Sequence, residues 1–151
     1  MKRWYTPYGF SGVPRLMAGF GYEQVHNLED AHMVVFTGGS DINPALYGQT
    51  PHHTSYWHED RDKLEVETYH KTVSLGLPMF GICRGAQLIC ALNGGELWQH
   101  TNHHGGHPCF DKDGQFMFQV SSLHHQMCRP NKENCDEIGF AKSLSTTFID
   151  D

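Results

Sequence analysis

The chain has 151 residues, 38% hydrophobic and 19% charged, which suits one domain around a single buried core. The formal net charge is −6 with histidines neutral and no run of lysine or arginine stands out, which excludes a nucleic-acid backbone as the main partner, since such a site needs a basic stripe. No window approaches the roughly 18 apolar residues that cross a bilayer, and Met1 to Phe10 carries basic residues with no apolar stretch behind them, so neither a membrane span nor a secretory signal is expected.

In chain order, the aromatic-rich run Lys2 to Tyr8 predicts a first strand, and Pro14 to Gly21 a short helix with Ser11 as its cap. Met33-Val34-Val35-Phe36 is a continuous apolar run stopped by Thr37-Gly38-Gly39, the pattern of a buried parallel strand. From His58 to Leu75, Leu64, Val66, Tyr69 and Val73 recur at helical spacing among charged residues and predict an amphipathic helix. Leu77 to Ile82 is a second buried-strand candidate, and Cys83 to Leu92 a helical run ended by Asn93-Gly94-Gly95. Gln115 to Val120 reads as a further strand, and the last thirty residues give faint signals. Alternating strands and helices with glycine at the strand ends predict an α/β fold with a parallel sheet, and nothing splits residues 1–151 into more than one domain.

Gly81-Ile82-Cys83-Arg84-Gly85 is the strongest chemical signal. It sets a cysteine at a sharp strand-to-helix turn, where the close-packed backbone demands small neighbours. The following helix aims its N–H groups and dipole at the sulfur, favouring a thiolate, and the Arg84 N–H is left to face an oxyanion. Cys83 is therefore the candidate nucleophile, while Cys90, inside the helical run, reads as a structural cysteine. The five cysteines, an odd number with no C-x-x-C pairing, predict a reducing cytoplasmic setting.

Gly81 to Gln87 resembles the nucleophile motif of class I glutamine amidotransferases, most closely the γ-glutamyl hydrolase branch. Other segments resemble that branch in the same order: Thr37 to Pro44 with Tyr47-Gly48, Arg61-Asp62 with Glu65, Asn93-Gly94-Gly95 with Leu97 and Gln99, and Val120 to Gln126, where serine stands at the usual asparagine. The resemblance implies a flavodoxin-like fold and acyl transfer from a γ-glutamyl group through a thioester on Cys83. It also implies an oxyanion hole from the backbone N–H groups of Gly39 and Arg84, and substrate binding by Gly38, Gln87, Ser121, Ser122, His124 and His125. The implied partner is a small γ-glutamyl substrate such as glutamine, with no cofactor and, for an amidotransferase, a separate synthetase.

In that family the histidine base and its carboxylate lie in a W-H-P-E-like segment near the C-terminus, and the present sequence has no counterpart before Asp151. A fragment of a longer protein is the expectation; the alternative is a complete chain that is inactive or uses a substitute base such as His124 or His125. Twelve histidines stand against eleven lysines and arginines combined. His100, His103, His104 and His107 with Cys109 offer zinc-type ligands, yet their spacing fits no standard zinc pattern, and a polar loop is the expected reading over a metal site. His52, His53 and His58 sit in a long loop that reads equally as a specificity element or a solvated connector. Three functions are thus in view: a γ-glutamyl amide hydrolase or amidotransferase, an inactive relative that binds without turnover, and a metal-binding protein.

Overall fold

The computed structural model describes residues 1–101, 105–136, 138–141 and 146–147. The chain divides into two compact units, Met1–Asn43 with Tyr56–Ile89, and Pro44–Ser55 with the residues from Cys90 onward.

The first unit holds strands β1 (Lys2–Tyr5), β2 (Tyr22–Gln24), β3 (Met33–Phe36) and β4 (Met79–Gly81). Its helices are α1 (Val13–Gly19), α2 (Glu59–Ser74) and the start of α3 (Arg84–Leu92). The four strands form one parallel sheet in the order β2-β1-β3-β4. This is the doubly wound order of flavodoxin-like sheets, in which ligand sites gather beyond the carboxyl ends of the strands. Val34, Val35 and Phe36 have no exposed surface, because a central parallel strand is covered on both faces. Trp4, Val13, Met17 and Val35 form the core, with Tyr22, Met33 and Ile82 packed against it. Each fully buried side chain of this kind contributes roughly 1.5–3 kcal/mol.

Several local expectations change in the structure. The first strand stops at Tyr5, just before Thr6 and Pro7. Helix α1 is started by Pro14 in its first turn and by Gly12 at φ 99°, with no side-chain cap, so Ser11 does not cap it. Helix α2 forms as expected, but its buried face carries Arg61, Asp62, Glu65, Thr68, Tyr69 and Thr72, whereas Leu64 and Val73 are exposed. Strand β4 is an edge of the sheet and leaves Phe80 about half exposed, so it is not the fully buried strand that its composition suggested.

The second unit is antiparallel. Its strands are β5 (Glu96–Trp98), β6 (His100–Thr101), β7 (Gly105–Phe110), β8 (Phe116–Ser122), β9 (Met127–Arg129), β10 (Phe140–Ala141) and β11 (Thr146–Thr147). They form a β10-β7-β8 sheet and the pairs β5–β9 and β6–β11. The β7–β8 hairpin turns where Asp111 Oδ1 accepts from the N–H groups of Asp113 at 3.0 Å and Gln115 at 2.8 Å, with Gly114 at φ 78°. Strand β8 is the one expected from Gln115 to Val120. Among the described residues no helix is long and apolar enough to cross a membrane.

Candidate active site

Cys83 lies between β4 and α3 with φ 52°, the one non-glycine residue with positive φ among those described. Such a backbone costs on the order of 1–3 kcal/mol and persists only where its surroundings over-determine it. Here the surroundings are the two glycines of the motif. A Cβ at Gly81 would lie 2.5 Å from the Ala86 nitrogen, and one at Gly85 would collide with the Phe36 carbonyl. Helix α3 is thus seated directly on the end of β3, and the spacing of glycines around the cysteine follows from two close approaches. The Ile82 N–H donates to the Phe36 carbonyl at 3.0 Å, joining the same two strand ends.

The thiol of Cys83 is exposed. Its carbonyl accepts the N–H groups of Ala86 at 2.9 Å and Gln87 at 3.1 Å, starting the helix. Arg84, the first residue of α3, has no intrahelical acceptor for its own N–H. Gly38 runs beside the turn: a Cβ there would lie 3.6 Å from the Cys83 Cβ. The structure therefore brings Gly38, Cys83 and the first turn of α3 together at the carboxyl ends of β3 and β4. Gln87 is buried one turn into α3.

Beneath this turn lies a buried group of four charges whose role the sequence did not disclose. The Arg84 guanidinium pairs with Asp62 through one nitrogen and with Glu65 through another, and its Nε donates to the Asp41 carbonyl at 3.4 Å. Glu65 also accepts from Arg61 Nε at 3.1 Å. Asp62 accepts the Asn43 N–H at 2.9 Å. Arg61, Asp62, Glu65 and Arg84 are all buried, none more than 7% exposed, and two positive charges meet two negative ones. Balance is needed, because an isolated buried charge is far more costly than a compensated one. Burial is the main influence on Asp62 and pushes its carboxyl up, against the Asn43 N–H and the Arg84 guanidinium. Burial likewise lowers Arg61, opposed by Glu65.

Arg61 also fixes the loop after β3. Its Nη2 donates to the carbonyls of Thr37 and Gly38, both at 3.1 Å, and the guanidinium stacks 4.2 Å from the Tyr8 ring centroid. In a trans peptide the carbonyl and the next N–H point in opposite directions, so the Gly39 N–H is turned away from Arg61. A Cβ at Gly39 would collide with the Arg61 guanidinium, which with φ 148° explains the glycine. The one legible sign of this network is the Arg61-Asp62-x-x-Glu65 spacing, which puts both carboxylates and an arginine on neighbouring helix positions.

The other predicted site residues belong to the second unit. Ser122 is buried opposite Gly105 in β8, while Ser121, opposite Gly106, is exposed, as alternation along a strand requires. His124 Nδ1 is 2.7 Å from the Gln126 carbonyl, a loop histidine bonded to backbone. The carbonyl of His125 accepts the Thr101 N–H at 2.7 Å. Its ring lies 5.9 Å from that of His100, which stacks 5.3 Å from His52, itself 4.1 Å from His53. Burial lowers the His52 imidazole, followed by repulsion from His53, His100 and His125.

The loop carrying His52 and His53 is tied down at His52 and Ser55, while His53, Thr54, Tyr56 and His58 are exposed. Buried Gln99 accepts the His52 N–H at 2.9 Å and the Ser55 hydroxyl at 3.1 Å, and donates to Gln49 Oε1 at 2.9 Å and the Thr50 carbonyl at 2.8 Å. Gln126 Nε2 adds a bond to Ser55 Oγ at 3.3 Å. Of the zinc-type ligands, His100 is in β6 and His107 and Cys109 are in β7, while His103 and His104 fall outside the described residues. Among the described residues no group of three or more His, Cys, Asp or Glu side chains is arranged to hold a metal ion.

The parallel sheet with flanking helices is the class I glutamine amidotransferase fold, and two solved structures share that fold: a glutamine amidotransferase from Thermotoga maritima (TM-score 0.59, 12% identity, 87% of this chain and 64% of that one) and a glutamine amido transferase from Methylobacillus flagellatus (TM-score 0.53, 12% identity, 87% and 57%). The Peptidase C26 family model matches residues 12–127, and the chain belongs to that family. Its similar relatives include a Mycobacterium tuberculosis protein with the provisional name glutamine amidotransferase Rv2859c, 40% identical over 53% of this chain and 27% of that protein. A glutamine amidotransferase-like YvdE homolog of Lactococcus lactis is 29% identical over 64% of this chain and 63% of its own length. The chain spans less than two thirds of the length of either relative.

Proposed function

We propose that this chain carries the nucleophile half of a cysteine-dependent γ-glutamyl amide hydrolase or amidotransferase, of the γ-glutamyl hydrolase branch of its family. The observation that carries the reading is Cys83: an exposed thiol on a positive-φ turn, wedged by Gly81 and Gly85 and flanked by Gly38. Strain at a residue other than glycine needs a reason, and presenting a nucleophile at a helix N-terminus supplies one. The Cys83 sulfur attacks the γ-carbonyl carbon, and the carbonyl oxygen takes the negative charge. The N–H groups of Arg84 and Gly39 stabilise it, the second oriented by the hold of Arg61 on the Gly38 carbonyl. Collapse expels the amine, which takes up the proton lost by the Cys83 thiol, and leaves a thioester. Water then hydrolyses the thioester to the γ-carboxylate and the free thiol; a hydrolase releases the expelled amine, and an amidotransferase passes the expelled ammonia to an acceptor held by a synthetase partner.

Gly38 and Gln87 contact the glutamyl group in this reading, and the assignment of Ser121, Ser122, His124 and His125 to substrate binding is carried over from the family resemblance. The bond of His124 Nδ1 to backbone argues for a positioning role and against a base at that nitrogen. The odd number of cysteines and the lack of a C-x-x-C pairing support action in a reducing cytoplasm. The test is amine release from a panel of γ-glutamyl and α-glutamyl amides, with Cys83→Ser as control. Release confined to γ-glutamyl compounds and lost in the variant supports the reading; equal release from both classes, or activity retained in Cys83→Ser, overturns it.

A further inference from the structure

The site described above uses one cysteine, and the second unit holds two more in a specific arrangement. Cys90 is in the last turn of α3, and the chain folds straight back onto it: the Gly95 N–H donates to the Cys90 carbonyl at 2.9 Å, and the Cys90 thiol lies 3.8 Å from the Glu96 carbonyl. A Cβ at Gly95 would lie 2.5 Å from the Cys90 sulfur and 3.0 Å from the Arg129 carbonyl, so the thiol is pressed against the start of β5 and its partner strand. In the antiparallel β5–β9 pair, Leu97 stands opposite Cys128 and Glu96 opposite Arg129. Leu97 is fully buried, and Cys128, its direct partner, shares that face of the pair. Arg129 and Glu96, on the other face, form an exposed ion pair at 3.0 Å. The Cys90 sulfur is thus set against the backbone of Gly95, Glu96 and Arg129, next in sequence to Cys128, whose side chain shares the face of buried Leu97. Hydrogen bonding from the Cys128 side chain, ahead of that from the Arg129 backbone, holds Cys90 below the ordinary thiol range, against burial, which raises it.

We propose that Cys90 and Cys128 form an oxidisable dithiol site that closes to an intramolecular disulfide on exposure to a peroxide. The Cys90 thiolate attacks one peroxide oxygen, breaking the O–O bond; the Cys90 sulfur becomes a sulfenic acid, and the departing hydroxide takes a proton to leave as water. The Cys128 sulfur then attacks the sulfenic sulfur, forming the S–S bond and breaking the S–O bond, and hydroxide leaves with the Cys128 proton as a second water. Two thiols are oxidised, one peroxide is reduced, and the chain loses two hydrogens. The bond ties the end of α3, the helix that begins beside Cys83, to β9. A disulfide across elements needs a close side-chain approach, and the Cys90 sulfur and Cys128 are packed at the same β5–β9 pair, whereas Cys135 is exposed.

The experiment treats the full chain, natively folded, with one equivalent of hydrogen peroxide, blocks remaining thiols with an alkylating agent, and maps peptides without reduction. The expected result is a Cys90–Cys128 cross-linked peptide that a dithiol reductant abolishes and that also forms in Cys83→Ala. Recovery of Cys90 and Cys128 as alkylated thiols, either one paired with a different cysteine, or Cys90 carried on to sulfinic acid beside a free Cys128, would overturn the proposal. In Cys128→Ser, a trapping dione should label a sulfenic acid at Cys90 that does not accumulate in the parent; should that variant fail to fold, the peptide map of the parent chain decides alone. The outcome is independent of whether Cys83 acts on γ-glutamyl amides.

Discussion

Replacing Glu65 with glutamine is the perturbation that most sharply tests the buried charge network. Glu65 has no exposed surface and accepts from Arg61 through one oxygen and from Arg84 through the other. The amide has nearly the same shape, but the balance of two cations and two anions becomes two against one. Its NH2 group also turns a donor toward a guanidinium donor. Two charge-assisted hydrogen bonds at about 1.5–3 kcal/mol each give roughly 3–6 kcal/mol, and breaking a buried pair from one side typically costs about 3–5 kcal/mol. The expected loss is therefore about 4 kcal/mol. With an m-value near 2 kcal/mol/M, this moves the urea midpoint down by about 2 M. Unfolding of the full chain can be followed by tryptophan fluorescence from Trp4, Trp57 and Trp98. Glu67→Gln, on the exposed side of the same helix, should cost no more than about 0.5 kcal/mol. A Glu65→Gln loss as small as that of Glu67→Gln would refute the argument that this network is what seats Arg84.

Two further outcomes follow from the geometry. Gly85→Ala puts a Cβ into the Phe36 carbonyl and should cost about 3 kcal/mol, seen as a fall in melting temperature; an unchanged melt would mean that α3 is not seated on β3 as described. His52 has its imidazole held below the unfolded value of 6.5, so the folded state resists the proton that the unfolded state accepts. Its contribution to stability is present above 6.5 and is lost as the pH falls through the lower folded value. Urea midpoints across that range should decline in the parent and decline less in His52→Gln, and parallel curves would count against the histidine cluster as the cause.

What could be read from the sequence depended on whether a residue's neighbours were local. Met33 to Phe36 was legible because a strand buried on both faces must be apolar throughout, and the G-x-C-x-G run because tight turns leave a glycine signature whatever surrounds them. Helix α2 was legible as a helix but only in part by its buried side. Hydropathy pointed to Leu64, Val66, Tyr69 and Val73; Tyr69 is buried, but Leu64 and Val73 are exposed, and buried positions are held by Asp62 and Glu65, whose reason is an arginine nineteen or more residues away, and by Arg61, which holds the loop after β3. Phe80 failed for a related reason, since an apolar residue does not disclose that its strand lies at a sheet edge. Strands β5, β6 and β9 are two or three residues long and exist through pairing with distant segments, which leaves no periodicity to detect. Gln99 and Gln126 were visible as matches to a family pattern, but their work of anchoring the His52 loop appears only when the bonds are traced.

The central claim, that Cys83 is an activated nucleophile, is most directly tested by intact mass after treatment with a glutamine-mimicking electrophile, comparing the parent chain with Cys83→Ala. The account predicts a single label that disappears in the variant, with a generic alkylating agent as the measure of simple thiol access. Labelling that persists in Cys83→Ala, or an unlabelled Cys83 that the generic agent still modifies, would contradict it.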